Sequence, residues 1–316
     1  MGSELAVIAI GGNSLIKRRD LRTVEDQYRA VCETMEHVAD LIQHGYRVVI
    51  THGNGPQVGF IMRRSEIARQ VEGLHIVPLV SCVADTQGAI GYQIQQALDN
   101  ELGRRGLPGR TVTVVTQVEV DPDDPGFREP DKPIGEFYTE DQLPELRRQH
   151  PDWVLREDAD RGWRRVVPSP VPRRIVEQDA VVSLLTDGFN VVTVGGGGIP
   201  VVNENGVLRG VDAVIDKDMA SSLLAAELGA PLLIISTGVE RVLLNYGTPD
   251  ETPLARVTVA EMERYLDEGH FAPGSMAPKV RAAIQFLRRG GREVIITDPA
   301  NIDEAIRSGR GTHIVP

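Results

Sequence analysis

Cysteine is scarce in this chain of 316 residues: there are two, Cys32 and Cys82, far apart. Their spacing offers neither a disulfide framework nor a zinc knuckle, and two reduced thiols in a cytoplasmic protein are the expectation. The seven histidines are scattered, and only His52 sits inside a glycine-rich motif. No apolar stretch reaches the ~18 residues that span a bilayer. The start, MGSELAVIAIGG, has no basic region before its apolar run and no small-residue cleavage site after it, so it reads as a first strand. Ala6 stands where a myristoylation signal would have Ser or Thr. A net charge of −11 argues against sequence-independent nucleic-acid binding, although a local site for phosphate can oppose the global sign. Lysine is the most telling shortage. Of 34 basic residues only Lys17, Lys132, Lys217 and Lys279 are lysines; the rest are arginines. A lysine kept in an arginine-using chain marks a place for a compact ammonium where a planar fork would not fit, unless four residues are simply too few to interpret.

What is present is an alternation of short apolar runs with helical patterns. LAVIAI (5–10), YRVVIT (46–51), TVTVVTQVEV (111–120), NVVTV (190–194), PLLIIST (231–237) and EVIIT (293–297) read as strands. Between the first two, apolar or aromatic residues at 24, 28, 31, 35, 38 and 42 predict an amphipathic helix, with Thr23 as its N-cap and Gly45 as its stop. Further helices are expected over VGFIMRRSEIARQV, TQGAIGYQIQQALDNELG, DMASSLLAAELG and SMAPKVRAAIQFLRRGG. The repeat implies an α/β fold on a mainly parallel sheet buried on both faces. One stretch breaks the rhythm: about 121–174 is dense in Pro, Asp and Arg and holds both tryptophans, Trp153 and Trp163. So long a structureless loop would be unusual, and a small inserted subdomain hinged at PDDP and PSPVP is expected.

In open parallel sheets, ligands bind where strand ends lead into helices. Four such places are glycine-rich: Gly11-Gly12-Asn13, His52-Gly53-Asn54-Gly55, Gly195 to Gly198, and Gly238. Missing side chains let backbone N–H groups approach an anion, and a following helix adds its positive end. Each loop alone is as readily a tight turn. No GxxxxGK[ST] is present, and GNGPQVG lacks the spacing and the acidic partner of a dinucleotide fingerprint. Lys217, between Asp216 and Asp218, and Lys279, in APGSMAPK, both fall at helix starts, while Lys132 lies in the insertion. Two such lysines held by a carboxylate suit phosphoryl transfer, which needs cations more than covalent chemistry. Taken singly, DKD reads as well as a helix N-cap with solvated charges.

In order along nearly the whole chain, AIGGN, THGNGPQVG, TQGAIGY, KPIG, EDADRGWRRVVPSP, GGGGIPVV, VIDKDMAS, TGVERVLLNYG and HFAPGSMAPK resemble the carbamate kinase family of the amino acid kinase superfamily. The resemblance implies a three-layer α/β/α sandwich with a protruding subdomain, and a homodimer. It implies a carbamate and carbamoyl phosphate lobe over 1–205, a nucleotide lobe over 206–316, and magnesium-dependent transfer between ATP and carbamate. In cells that reaction usually runs toward ATP, in arginine or purine breakdown. Carried over by position, Gly11, Gly12, Asn13, Gly53 and Asn54 would bind the substrate. Lys132, Lys217, Lys279 and Asp218 would act on the phosphoryl group, and Gly195, Gly196, Asp216, Gly238 and Met276 would face the nucleotide; the metal ligands are not assigned. Other branches of the superfamily carry a lysine where this chain has Ala9, and Lys132 would replace it. Asp85, in CVADTQG, departs from the uncharged residue expected there. Neither a nucleic acid nor a membrane is an expected partner. Two alternatives stand beside this reading: a related kinase with a larger acceptor, and a catalytically silent ligand sensor on the same fold.

Overall fold

The computed structural model describes residues 4–11, 23–157 and 162–316. Gly12, Asn13 and Lys17 lie outside them, as does part of EDADRGW. The strands are β1 (Leu5–Ile10), β2 (Arg47–His52), β3 (Thr111–Thr113), β4 (Gln117–Val120), β5 (Lys132–Tyr138), β6 (Val154–Glu157), β7 (Trp163–Val167), β8 (Pro172–Ile175), β9 (Asn190–Val192), β10 (Ile199–Glu204), β11 (Val207–Gly210), β12 (Leu232–Ser236), β13 (Leu243–Leu244), β14 (Thr252–Pro253), β15 (Arg256–Thr258), β16 (Glu293–Thr297) and β17 (Thr312–Val315). The helices are α1 (Val24–Gln43), α2 (Gln57–Glu72), α3 (Leu79–Arg104), α4 (Leu143–Gln149), α5 (Gln178–Thr186), α6 (Lys217–Glu227), α7 (Val259–Asp267), α8 (Met276–Arg288) and α9 (Ile302–Ser308). None of the described helices is long and apolar enough to cross a membrane.

The main sheet has the order β15-β17-β16-β12-β1-β2-β9-β3. Its pairs are parallel except β16 with β17. β1 shows why the layers form. Leu5, Val7 and Ala9 join one apolar cluster with α5, α6, α7 and α8, whereas Ala6, Ile8 and Ile10 join another with α1, α3 and α9. A strand with no polar face must be covered on both sides, which makes the α/β/α sandwich. α1 starts as its sequence predicts: Thr23 accepts from the Asp26 N–H at 3.1 Å and Asp26 returns the bond, closing a capping box.

The run 111–120 is not one strand. Gln87, buried on α3, donates to the Thr116 carbonyl at 2.9 Å and accepts from its N–H at 2.8 Å. A side chain thus replaces the ladder at the midpoint, and the chain leaves the main sheet as β3 and enters a second sheet, β11-β10-β4-β8, as β4. The paired strands β4 and β8 form the neck of the insertion. Beyond the neck, the antiparallel sheet β5-β7-β6 and α4 form the expected subdomain. Trp153 is central to it, stacked on His150 at 3.9 Å between centroids and covered by Arg165 at 4.7 Å. The two proline-rich edges are tied together: Asp124 accepts from the N–H groups of Gly126 and Val171 at 2.7 and 3.0 Å.

The four-glycine turn after β9 is buried. A Cβ on Gly197 would stand 2.2 Å from the Ile215 carbonyl oxygen, and one on Gly198 would stand 2.1 Å from Val118 Cγ2; both residues have positive φ, 93° and 89°. Here the side chains are absent so that protein can pack on protein. Gly197→Ala is therefore expected to cost at least about 2 kcal/mol, from left-handed backbone strain and overpacking together. Urea denaturation of both proteins checks this; an unchanged midpoint would refute it.

Candidate active site

Because β1, β2, β9 and β12 are parallel, their C-terminal ends lie along one edge of the sheet. A cleft of about 690 Å³ opens there. Gly11, Gly53, Asn54 and Gly196 line it from strand ends, Asp216, Lys217, Asp218 and Lys279 from helix starts, and Lys132 from the inserted subdomain. These are the predicted residues that the fold brings together. Gly195, Gly238 and Met276 are not on its lining. Gly195 packs against His52, Gly238 is exposed beyond β12, and the Met276 side chain lies on the hydrophobic core. Asp85 is exposed on α3 and does not line the cleft.

The centre of the site is Asp218, in the first turn of α6, 3% exposed. Its Oδ1 accepts from Lys217 Nζ at 2.6 Å and its Oδ2 from Lys279 Nζ at 2.9 Å. Burial alone would raise the Asp218 carboxyl, but the two ammonium groups overcome it and hold the group ionised, well below the usual range. Burial is also the largest influence on Lys217 and, with repulsion from Lys279, pushes its pKa down. Lys217 Nζ also reaches the carbonyl of Ala9, at 3.4 Å. A lysine arriving from α6 therefore ends at the strand position where a lysine of β1 would start. Asp216 is the N-cap of α6: its Oδ1 accepts from the N–H groups of Asp218 and Met219 at 2.9 and 3.2 Å. Its Oδ2 pairs with Lys132 Nζ at 2.5 Å, so the insertion is latched to the start of the helix. Burial opposes ionisation of Asp216, yet Lys132 and Lys279 lower it. Three ammonium groups meet two carboxylates, leaving one net positive charge in a strongly acidic protein.

The glycines of the rim serve mainly the protein's own packing. A Cβ on Gly11 would stand 2.7 Å from the Ser236 carbonyl oxygen, one on Gly195 2.4 Å from His52 Nε2, and one on Gly196 2.1 Å from Asn54 Oδ1. At Gly53, by contrast, a Cβ would find ordinary contact, 3.5 Å from the Lys217 stem. Asn54 Nδ2 donates to the Gly196 carbonyl at 3.2 Å, and Thr86 donates to Asn54 Oδ1, so two glycine loops are held by one buried carboxamide. The sequence reading missed Ser236, Thr237 and Ser275, which line the cleft one or two places before the chosen Gly238 and Met276. It also missed three residues of the insertion: Arg164, which lies inside the quoted EDADRGWRRVVPSP without being singled out, and Glu136 and Phe137, which directly follow KPIG.

His52 is buried beside the cleft without lining it. Its Nδ1 lies 2.9 Å from the Gly53 carbonyl, which requires Nδ1–H as the donor. Burial, aided by Lys217, pushes its pKa down to about 4 against the Gly53 bond. Between the ordinary value of 6.5 and about 4, the unfolded chain takes up a proton that the folded chain excludes, so stability is lost as pH falls through that window. A shift of this size corresponds to roughly 3 kcal/mol. His52→Gln should flatten the acid-side fall in urea stability whatever it does at neutral pH; an unchanged slope would show that another group carries it.

The amino acid kinase family profile matches residues 4–298. Carbamate kinase-like protein YahI of Escherichia coli K12 is 54% identical over 313 residues, covering 99% of each chain. The carbamate kinase of Pyrococcus horikoshii is 47% identical over 313 residues, again 99% of each. Among solved structures, carbamate kinase from Giardia lamblia bound to AMP-PNP superimposes with a TM-score of 0.90 at 43% identity, covering 99% of this chain and 98% of that one. The same enzyme bound to citric acid gives 0.94 at 42% identity with the same coverage. This chain belongs to the carbamate kinase family, within the amino acid kinase family.

Proposed function

We propose that the protein is a carbamate kinase, moving a phosphoryl group between ATP and carbamate to give ADP and carbamoyl phosphate. The observation that carries this reading is the Asp218 carboxylate shared by Lys217 and Lys279 above glycine-bordered strand ends. An ionised carbamate oxygen attacks the terminal phosphorus in line with the bond to ADP. An O–P bond forms as the bridging P–O bond breaks, and no proton need be removed. Such a step calls for positive charge and positioning and not for a general base. Lys217 and Lys279 stabilise the moving phosphoryl group, and Asp218 keeps both ammonium groups oriented. Lys132, brought over the cleft by the insertion, holds carbamoyl phosphate. Gly11, Gly53 and Asn54, with Gly12 and Asn13 beside them in sequence, form the carbamate side, within a lobe over 1–205. Gly196, Asp216, Ser236, Thr237 and Ser275 face the nucleotide, whose lobe spans 206–316. Gly195 and Met276 support these residues from behind the lining, and Gly238 follows Thr237 at the exposed strand end.

Among the described residues no group of three His, Cys, Asp or Glu converges as a metal cage. Magnesium takes one or two carboxylates with phosphate oxygens and waters, and Asp216, with one oxygen facing Lys132, is the residue suited to it. Bound there, the ion would supply charge neutralisation on the nucleotide phosphates. Carbamoyl phosphate is a mixed anhydride, so transfer toward ATP is downhill, and we assign the cellular role to ATP formation in arginine or purine breakdown. A cytoplasmic homodimer completes the reading; exposed Tyr92 and Val115 beside the edge strand β3 offer a surface for a second copy.

ATP formation from carbamoyl phosphate and ADP is the deciding assay. Lys217→Ala and Lys279→Ala should each lower kcat by at least about a hundredfold with the fold retained, whereas Lys132→Ala should act mainly on the KM of carbamoyl phosphate. Near-normal turnover in Lys217→Ala would remove the mechanism. In the forward direction, activity with a larger carboxylate but none with ammonium plus bicarbonate would remove the substrate assignment.

A further inference from the structure

The inserted subdomain meets the rest of the protein at a glycine pair. β5 crosses α2 so closely that a Cβ on Gly59 would stand 2.1 Å from Gly135 Cα and 2.5 Å from Gly135 N. The contact is asymmetric. A Cβ on Gly135 would find Gly59 Cα at 3.7 Å, an ordinary distance, but Gly135 has φ +70°, a conformation that favours glycine. Gly59 thus supplies the space and Gly135 the turn. Gly135 also opens an irregularity in the β5–β7 ladder, where pairing jumps from Ile134–Arg165 to Tyr138–Trp163. Four steps on β5 match two on β7, so residues 135–137 bulge, and a bulge re-aims the side chains it carries. Here they turn to the cleft, where Glu136 and Phe137 form part of the wall. On the other side of the contact Ile134 is buried with Val58, Met62, Val167 and Val214. Three residues before Gly135 stands Lys132, paired to Asp216.

The geometry points to Gly59 as a positioning residue: it seats the flap strand on α2 and thereby sets where the Lys132 ammonium meets the substrate. A rigid seat so near the bulge leaves the start of β5 little freedom. Glu66, two turns further along α2, faces Arg165 of β7 at 3.6 Å and holds the same surface together. A methyl group at residue 59 must lift β5, and Lys132 with it; a misplacement of about 1 Å in a positioning group can change turnover of a bound substrate by about a hundredfold.

The inference rests on the proposed carbamate kinase activity, and its test separates the two. Gly59→Ala should raise the KM of carbamoyl phosphate at least about tenfold while that of ADP stays within about twofold, since only one substrate meets Lys132. In a Lys132→Ala background the same substitution should change that KM by less than about twofold, because the group it misplaces is gone. Equal effects in both backgrounds, or none in either, would overturn the proposal. Gly103→Ala, on α3 with nothing within 4 Å of the new Cβ, is the control and should match the parent. A parent enzyme that forms no ATP would sink the activity and leave the seat to a second measurement. Limited trypsin cleavage after Arg147, Arg148 and Arg156 should be faster in Gly59→Ala if the flap has lost its seat, and an equal rate refutes the seat. If Gly59→Ala fails to fold, Gly135→Ala replaces it, with the same dependence on Lys132 and the same refuting result.

Discussion

Asp218 holds its carboxylate between two ammonium groups, at 2.6 and 2.9 Å, almost out of reach of water. Much of the site's geometry follows from that arrangement. A buried charge is tolerated when it is paired and its lone pairs are filled, and removing one partner leaves the others uncompensated at a cost of about 3–5 kcal/mol. Lys217 and Asp218 sit in the first turn of α6 and Lys279 in that of α8, so the shared carboxylate fixes the starts of two neighbouring helices relative to each other. The N-cap bonds of Asp216 fix the backbone of the same turn. The ammonium groups therefore reach the cleft already oriented, with the entropy of their long stems spent during folding. In the proposed transfer that is what matters, because a cation that must still be ordered when the phosphoryl group moves contributes little.

The glycine loops take on a different meaning beside this pair. As sequence, four of them at strand ends suggest backbone held open for phosphate. In the structure most of the space is filled by the protein: the Ser236 carbonyl against Gly11, His52 against Gly195, Asn54 against Gly196, Ile215 against Gly197 and Val118 against Gly198. The two ideas are compatible only in part. Packing this close brings strand ends and helix starts to one small edge, which is how residues as distant as Ala9 and Lys217 come into hydrogen-bonding range. Glycine shapes the site by letting its walls touch one another, and the cations provide the surface that an anion meets.

The legible part of this molecule is the part governed by short-range pattern. The unbroken apolar run of LAVIAI, the capping box at Thr23 and the stop at Gly45 each depend on neighbours within one turn or one strand, and the elements appear where the pattern puts them. Lys132, Lys217 and Lys279 were legible for a compositional reason, since arginine does the general work of positive charge elsewhere. The break in 111–120 was not legible, because a β-branched run carries no sign that Gln87, from a helix earlier in the chain, will occupy the backbone groups of Thr116. β17 escaped for a similar reason: THIV is too short to show a period, and its place between β15 and β16 is settled by tertiary pairing. Glu136 and Phe137 face the cleft from the bulge at 135–137, a feature of register that composition does not encode.

The charge distribution gives the last constraint. At −11 the protein as a whole repels anions at long range, yet the proposed substrates are anions. Beyond a Debye length of about 8 Å in physiological salt that repulsion is largely screened. What a substrate experiences is the cleft, where one positive charge is left over after the carboxylates are paired and where burial keeps screening ions away. Recognition is then short-ranged, and the excess of acid elsewhere serves solubility without blocking entry. The flap extends the same logic. Its Lys132 is already matched to Asp216, so that ammonium group is not left unpaired when the insertion docks, and a phosphate that draws Lys132 toward itself would leave a carboxylate oxygen on Asp216 to be satisfied. In the proposed reaction a divalent cation arriving with the nucleotide would satisfy that oxygen, and the flap, the metal and the helix start would then share a single carboxylate.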